Sequence, residues 1–171
     1  MIRVDVLRTD DVVGLEEIRE LMDVAFEGDF EDDDWDHTLG GWHAVVTDGG
    51  VVVAHAAVVD RTLHSAGRAW RTGYVEGVAT APDRQGEGLG TVAMQEINQI
   101  IRRDHELGAL GTGEWHFYEQ VGWERWQGRT FVGDERTPED DDGVMVLRFG
   151  PSAGLDLAGD IACEARPGDV W

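Results

Sequence analysis

The sequence predicts an α+β fold, a mixed central sheet of about seven strands sandwiched with helices in a single domain over residues 1–171. Two observations predict it. The first half alternates short apolar strands with hairpin turns, and the second half runs strand, glycine-rich turn, helix, strand, helix, strand. A third sets the class: 42% of residues are hydrophobic and 29% charged, ordinary for a globular chain long enough to bury a core.

Residues 2–8, IRVDVLR, alternate apolar and polar as a half-buried strand does. After Asp10 or Asp11 as expected N-caps, Leu15, Ile18, Met22 and Ala25 recur at helical spacing. The stretch EGDFEDDDWDHTLGG then reads as a loop with one short helical turn. WHAVV and VVVAHAAVVD flank TDGG, a hairpin signal, and AWRTGYVEGVATA follows the turn SAGR and stops at Pro82. Leu89, Val92, Ala93, Ile97, Ile100 and Ile101 mark a helix to about His105, and LGALGT is a short buried strand. A helix around Phe117 to Val121, with strands near WERWQGRTFV and GVMVLRF, completes the order.

Charge narrows the function. Acidic residues number 35 against 14 basic ones, a formal net charge of −21, and every basic residue is arginine. A chain without lysine has no Walker phosphate loop and no Schiff-base amine. Nucleic acid is an unsuitable partner, since binding it needs a basic footprint, whereas a polycationic small molecule would be drawn in. The acid also solubilises, so particular carboxylates must carry any argument about a site. No run is apolar enough for a membrane span or a signal peptide, and a lone Cys163 forms no internal disulfide, so the expected compartment is the cytoplasm and no membrane partner is expected. His37 and His43, without a cysteine or third histidine close by, make a poor metal pair, and no metal is expected.

Residues 82–94, PDRQGEGLGTVAM, place Gly86, Gly88 and Gly90 between a strand and a helix. Backbone N–H groups bared there at the positive end of a helix dipole would form a diphosphate cradle; the other reading of the glycines is a tight turn alone. Gly88, Gly90 and Ala93 also fit a G-x-G-x-x-A dinucleotide fingerprint, but that motif opens a βαβ unit, whereas this one follows a meander of strands.

The run Gln85-Gly86-Glu87-Gly88-Leu89-Gly90 matches the Q/R-x-x-G-x-G/A loop of the GNAT acetyltransferases, in its expected place after the fourth strand. FYEQVGW, residues 117–123, resembles the later motif of that superfamily, in which a tyrosine precedes Gly-Phe or Gly-Trp by four residues. Within the superfamily the chain resembles the aminoglycoside 2'-N-acetyltransferases through AFEGDF, DWDHTLGG, AHAAV, GYVEGVA, RTPEDDDG and RPGDVW.

The resemblance implies a GNAT fold with helices on both faces of the sheet, acetyl-CoA as co-substrate, and acetyl transfer to the 2'-amine of an aminoglycoside in a ternary complex, conferring resistance. Val78, Ala79 and Thr80 would meet the pantetheine arm and acetyl carbonyl, and Gln85, Gly86, Glu87, Gly88, Leu89 and Gly90 the pyrophosphate. Tyr118 would protonate the leaving thiolate, and Glu76 would accept the amine proton. Asp29, Glu76, Gly77, Asp140, Asp141, Asp169 and Trp171, with its terminal carboxylate, would line the antibiotic pocket; Asp142 competes with its two neighbours for the same contact. Two other readings stay open: acetylation of another amine, such as a polyamine or a peptide N-terminus, and a non-catalytic CoA-binding module. Exposed strand edges and seven tryptophans permit a homodimer.

Overall fold

A computed structural model describes residues 1–139 and 142–171. The chain packs as two compact units, one of residues 1–59 and 75–99, the other of residues 60–74 and 100–171.

In the first unit, β1 (Ile2–Arg8) pairs antiparallel with β2 (Trp42–Asp48), and β2 with the first part of β3 (Val51–Ser65). The expected hairpin forms: Gly49 and Gly50 take φ of +59° and +89°, the two left-handed positions that a tight turn between twisted strands requires. Helix α1 (Leu15–Ala25) buries Ile18, Leu21 and Met22 against Val45 of β2 and Ala79 of β4 (Arg68–Thr80). Asp10 and Asp11 are not its caps. They lie in a 3-10 turn, Thr9–Asp11, and the helix starts after Gly14, whose φ of +88° turns the chain.

The acidic stretch expected as a loop with one short helical turn holds a seven-residue helix, α2 (Asp32–Thr38). A capping box explains it: the Glu31 side chain accepts from the backbone of the helix's first turn, and Glu31 N–H donates to Asp34 Oδ2 at 2.8 Å. Three aspartates in the first turn also sit at the positive end of the helix dipole. Part of this charge run is therefore architectural.

In the second unit the remaining segments of β3 and β4 join a mixed set of strands. β4 runs parallel to β5 (Leu107–Thr112), and β5 antiparallel to β9 (Gly143–Arg148), with β6 (Glu124–Arg125) beyond it. On the other side β10 (Ile161–Cys163) pairs with β3 and with β7 (Thr130–Val132), and β7 with β8 (Glu135–Arg136). The mixed sheet is as expected. The strand count differs because WERWQGRTFV divides: the N–H groups of Gln127 and Gly128 both donate to Leu157 C=O, turning the chain between β6 and β7. β8 and β10 are short and carry no alternation to read.

Helix α3 (Leu89–Asp104) spans the expected residues and gives its first turns to the first unit. A short helix, α4 (Trp115–Glu119), precedes β6. Among the described residues, no helix is long and apolar enough to cross a membrane.

Candidate active site

Three features of the first unit bear on chemistry. One is the glycine-rich turn. Gly86 and Gly88 have φ of +84° and +81°, and nothing lies within 4 Å of where a Cβ would stand on either. The first intrahelical bond of α3 is Val92 N–H to Gly88 C=O at 3.1 Å, which leaves the N–H groups of Leu89, Gly90 and Thr91 outside the helix ladder. An open left-handed turn feeding a sixteen-residue helix fits a diphosphate. Glu87 offers only its backbone here. Its carboxylate takes the Arg84 Nε–H at 2.8 Å, which holds it below the usual range; Arg84 also reaches Asp48 at 3.2 Å, whose carboxyl is held low first by the Met1 ammonium at 2.7 Å and then by Arg84. Gln85 is exposed.

The second feature is a bend in β4. Gly77 has φ +59°, and a Cβ there would come 2.7 Å from the Thr38 methyl, so glycine is required by conformation and by space. Alternation fails at the bend: Glu76, Gly77 and Val78 are all half-buried, with Ala79 buried and Thr80 half-buried after them.

The third feature escaped the sequence reading. His43 and His55 are fully buried, and their rings join at 2.9 Å, His43 Nδ1 to His55 Nε2. His55 Nδ1 lies 2.7 Å from Gly77 C=O, and His43 Nε2 lies 2.7 Å from Thr9 Oγ1. A carbonyl can only accept, so with both rings neutral His55 donates from Nδ1, His43 donates from Nδ1 to His55, and the Thr9 hydroxyl, which also has Gly41 C=O at 3.3 Å, donates to the nearer His43 Nε2. Gly40 N–H donates to Thr9 Oγ1 at 2.9 Å and completes the line. The turn at Gly49–Gly50 alone would set His55 opposite Ala44, on the other face from His43; a register shift at Val46/Thr47 moves it opposite Val45, two residues from His43, so that both rings stand diagonally on one face, and no local pattern in the sequence marks that shift.

Burial lowers both imidazoles, His43 to about 4 and His55 to about 3, with His43 adding repulsion at His55. An unfolded histidine titrates near 6.5. Between those values the unfolded chain binds protons that the folded chain refuses, so stability is full above about pH 7 and falls as pH drops. The expected loss at pH 5 is about 2 kcal/mol for each histidine. Urea unfolding at pH 7 and pH 5 measures it, and His43→Asn should remove about half of the slope. Equal stability at the two pH values would show that these rings ionise normally.

Of the acidic candidates in this unit, Asp29 is exposed on the turn after α1. It adjoins an open hollow lined by Arg19, Phe30, Glu31, Asp32 and Asp33, in which Arg19 pairs with Asp32 at 3.2 Å.

In the second unit Tyr118 lies on α4, 8% exposed, edge-on to Phe117 and Trp123. Gly122, at φ +97°, ends the helix, and Trp123 N–H returns to Tyr118 C=O at 3.1 Å. Here the Tyr-x-x-x-Gly-Trp spacing has its physical cause. Burial first, then the Glu114 charge, pushes the phenol upward, so it keeps its proton throughout the neutral range.

The last residues of this unit are docked. A Cβ on Gly111 would come 2.7 Å from the Trp171 carbonyl carbon, and Trp171 Nε1 donates to Thr137 Oγ1 at 3.2 Å. Arg61, stacked over Tyr74 at 4.5 Å, donates to Val170 C=O at 2.8 Å. Asp169 is exposed, and its C=O accepts from Arg166 at 2.7 Å. Asp142 is exposed beside Gly113. Asp140 and Asp141 lie outside the described residues. Among the described residues, no group of three or more His, Cys, Asp or Glu is arranged to hold a metal ion.

Residues 8–126 match the acetyltransferase (GNAT) domain family. The chain belongs to the GNAT acetyltransferases. This acetyltransferase is 47% identical over 161 residues to an aminoglycoside 2'-N-acetyltransferase of Mycolicibacterium fortuitum, covering 90% of the chain and 83% of that protein. Its fold matches a GNAT acetyltransferase from Brucella melitensis solved with acetyl-CoA, at TM-score 0.65 and 20% identity over 96% of this chain and 97% of that one. It also matches the GNAT N-acetyltransferase YhbS of Escherichia coli, solved with CoA, at TM-score 0.68 and 20% identity over 96% and 89% of the two chains.

Proposed function

We propose that this acetyltransferase moves the acetyl group of acetyl-CoA to the 2'-amine of aminoglycosides by direct attack in a ternary complex, which inactivates the drug. The observation that carries the reading is 47% identity over 90% of the chain to an enzyme of that name. The excess of carboxylates suits a substrate bearing several ammonium groups, each bound by charge-assisted hydrogen bonds.

The open turn at Gly86 and Gly88 and the start of α3 hold the pyrophosphate through backbone N–H groups, with Gln85 beside them. Val78, Ala79 and Thr80 at the end of β4 receive the pantetheine arm and acetyl carbonyl. Asp29, Gly77, Asp140, Asp141, Asp169 and Trp171 hold the aminoglycoside. Glu76 takes a proton from the ammonium, directly or through a water, and frees the nitrogen lone pair. The N–C bond forms as the C–S bond breaks, the second amine proton leaves to solvent, and Tyr118 supplies a proton to the departing sulfur. Much of the acceleration comes from holding amine and thioester together, so Cys163, buried in the second unit, is not needed as a nucleophile. The drug and acetyl-CoA meet in the cytoplasm, where the enzyme works.

Thiol release with a panel of amines tests the reading. Turnover on an aminoglycoside with a 2'-amine, and none when that position is a hydroxyl, is expected. Turnover confined to polyamines or peptide N-termini would overturn the substrate assignment, and acetyl-CoA uptake without any turnover would overturn the enzyme.

Gly88→Val checks the cradle. A β-branched side chain at φ +81° strains the backbone by about 1–2 kcal/mol. Its Cβ has no protein atom within 4 Å, and the side chain fills the space left to the phosphates. The expected result is a folded protein whose acetyl-CoA affinity, read by calorimetry, falls at least about tenfold. Unchanged affinity would move the diphosphate elsewhere.

A further inference from the structure

The hydrogen-bonded line from Thr9 through His43 and His55 ends on one particular peptide. Both rings are fully buried, and each polar atom along the line is matched by the next, so the interior devotes two imidazoles to holding the Gly77 C=O at one end and the Thr9 hydroxyl at the other. The polar line therefore gives the sheet something other than packing.

What it gives is direction. The peptide between Gly77 and Val78 is planar and trans, so its C=O and N–H point to opposite sides. His55 Nδ1–H holds Gly77 C=O at 2.7 Å, which sends Val78 N–H to the side away from His55. The fixture lies at the one residue of β4, Gly77, whose φ of +59° would let that peptide swing, and the Thr38 methyl closes the remaining space beside it. A carbonyl that accepts a strong hydrogen bond also polarises its own amide and makes the N–H a better donor. His55 can do this only from the Nδ1–H tautomer, and His43 enforces that tautomer by donating to Nε2. Thr9 does the same for His43.

We propose that His55, locked in one tautomer by His43 and Thr9, is a positioning residue that aims and polarises Val78 N–H toward the acetyl carbonyl of the thioester. The proposal rests on the reading that Val78 to Thr80 receive the acetyl arm, and the donor it prepares acts where negative charge develops on the carbonyl oxygen.

Four measurements test it on the full chain. In wild-type protein, nitrogen-15 spectra of the imidazoles should show both His43 and His55 protonated at Nδ1 alone from pH 5.5 to 8. The carbonyl carbon-13 signal of acetyl-CoA labelled there should shift downfield on binding, as it does when a hydrogen bond polarises the oxygen. In His55→Leu that shift should collapse and kcat fall about tenfold, the worth of one lost hydrogen bond, while calorimetric affinity for acetyl-CoA stays within about twofold. His55→Asn, whose amide N–H reaches roughly the place of Nδ1–H, should restore most of the shift and the rate. Should His55→Leu fail to fold, the wild-type spectra and His55→Asn carry the test.

Wild-type kcat in folded His55→Leu, equal losses in the Leu and Asn variants, or a proton on Nε2 of His55 would each overturn the proposal while leaving the acetyltransferase intact. Failure of wild-type protein to take up acetyl-CoA would overturn the functional reading, and the proposal with it.

Discussion

Tyr118→Phe should lower kcat about a hundredfold, in the range that a positioned proton donor contributes, with acetyl-CoA affinity unchanged. The ring stays where it is. It is packed edge-on between Phe117 and Trp123 in a short helix whose end is fixed by Gly122, and none of these contacts uses the hydroxyl. Only the O–H is lost, so the change falls on the step in which sulfur gains charge. Burial and the Glu114 carboxylate keep the phenol protonated well above neutral pH, so the donor does not titrate away across the range in which the amine is deprotonated. The rise of rate with pH should therefore belong to the amine and its base and persist in the phenylalanine variant at a lower plateau. Steady-state kinetics across pH, with a calorimetric titration of acetyl-CoA, makes the check. An unchanged plateau would remove Tyr118 from the reaction and leave it a core aromatic.

Trp171→Ala should raise KM for the aminoglycoside about thirtyfold, the worth of a buried aromatic anchor, and leave acetyl-CoA binding within about twofold. The residue is held rather than frayed: its backbone lies against Gly111, its indole N–H is on Thr137, and the residue before it is held by Arg61. Trp171→Phe keeps the aromatic face but loses the bond to Thr137, and should fall between wild type and alanine. Initial-rate kinetics with a 2'-amino substrate supplies KM, and calorimetry supplies the acetyl-CoA arm. Equal loss of both substrates would mean that removing the indole unravels the second unit and reveals nothing about recognition.

Much of the fold was legible because its signals are local. Alternation placed β1, helical spacing placed α3 to within a residue, and TDGG marked the hairpin between β2 and β3. Errors came where a long-range contact outweighs the local pattern. WERWQGRTFV reads as one strand, but Leu157 captures two of its N–H groups and turns it. EGDFEDDDWDHTLGG reads as a loop with one short helical turn, and its seven-residue helix is longer because of a reciprocal bond between Glu31 and Asp34 that composition does not reveal. The site divides in the same way. Glycines at 77, 86 and 88 and the Tyr118–Gly122 spacing announce themselves, since conformation demands them. His43 and His55 sit inside apolar strands and touch only when the hairpin is folded in register.

That last pair bears on how the gene can change. Thr9, His43 and His55 each satisfy the next and end on the Gly77 carbonyl, so losing one side chain strands a polar atom in a dry interior, and the route from one arrangement to another passes through a defective intermediate. Thr9, His43 and His55 are therefore expected to change together, and relatives that lack one of these side chains should lack the other two.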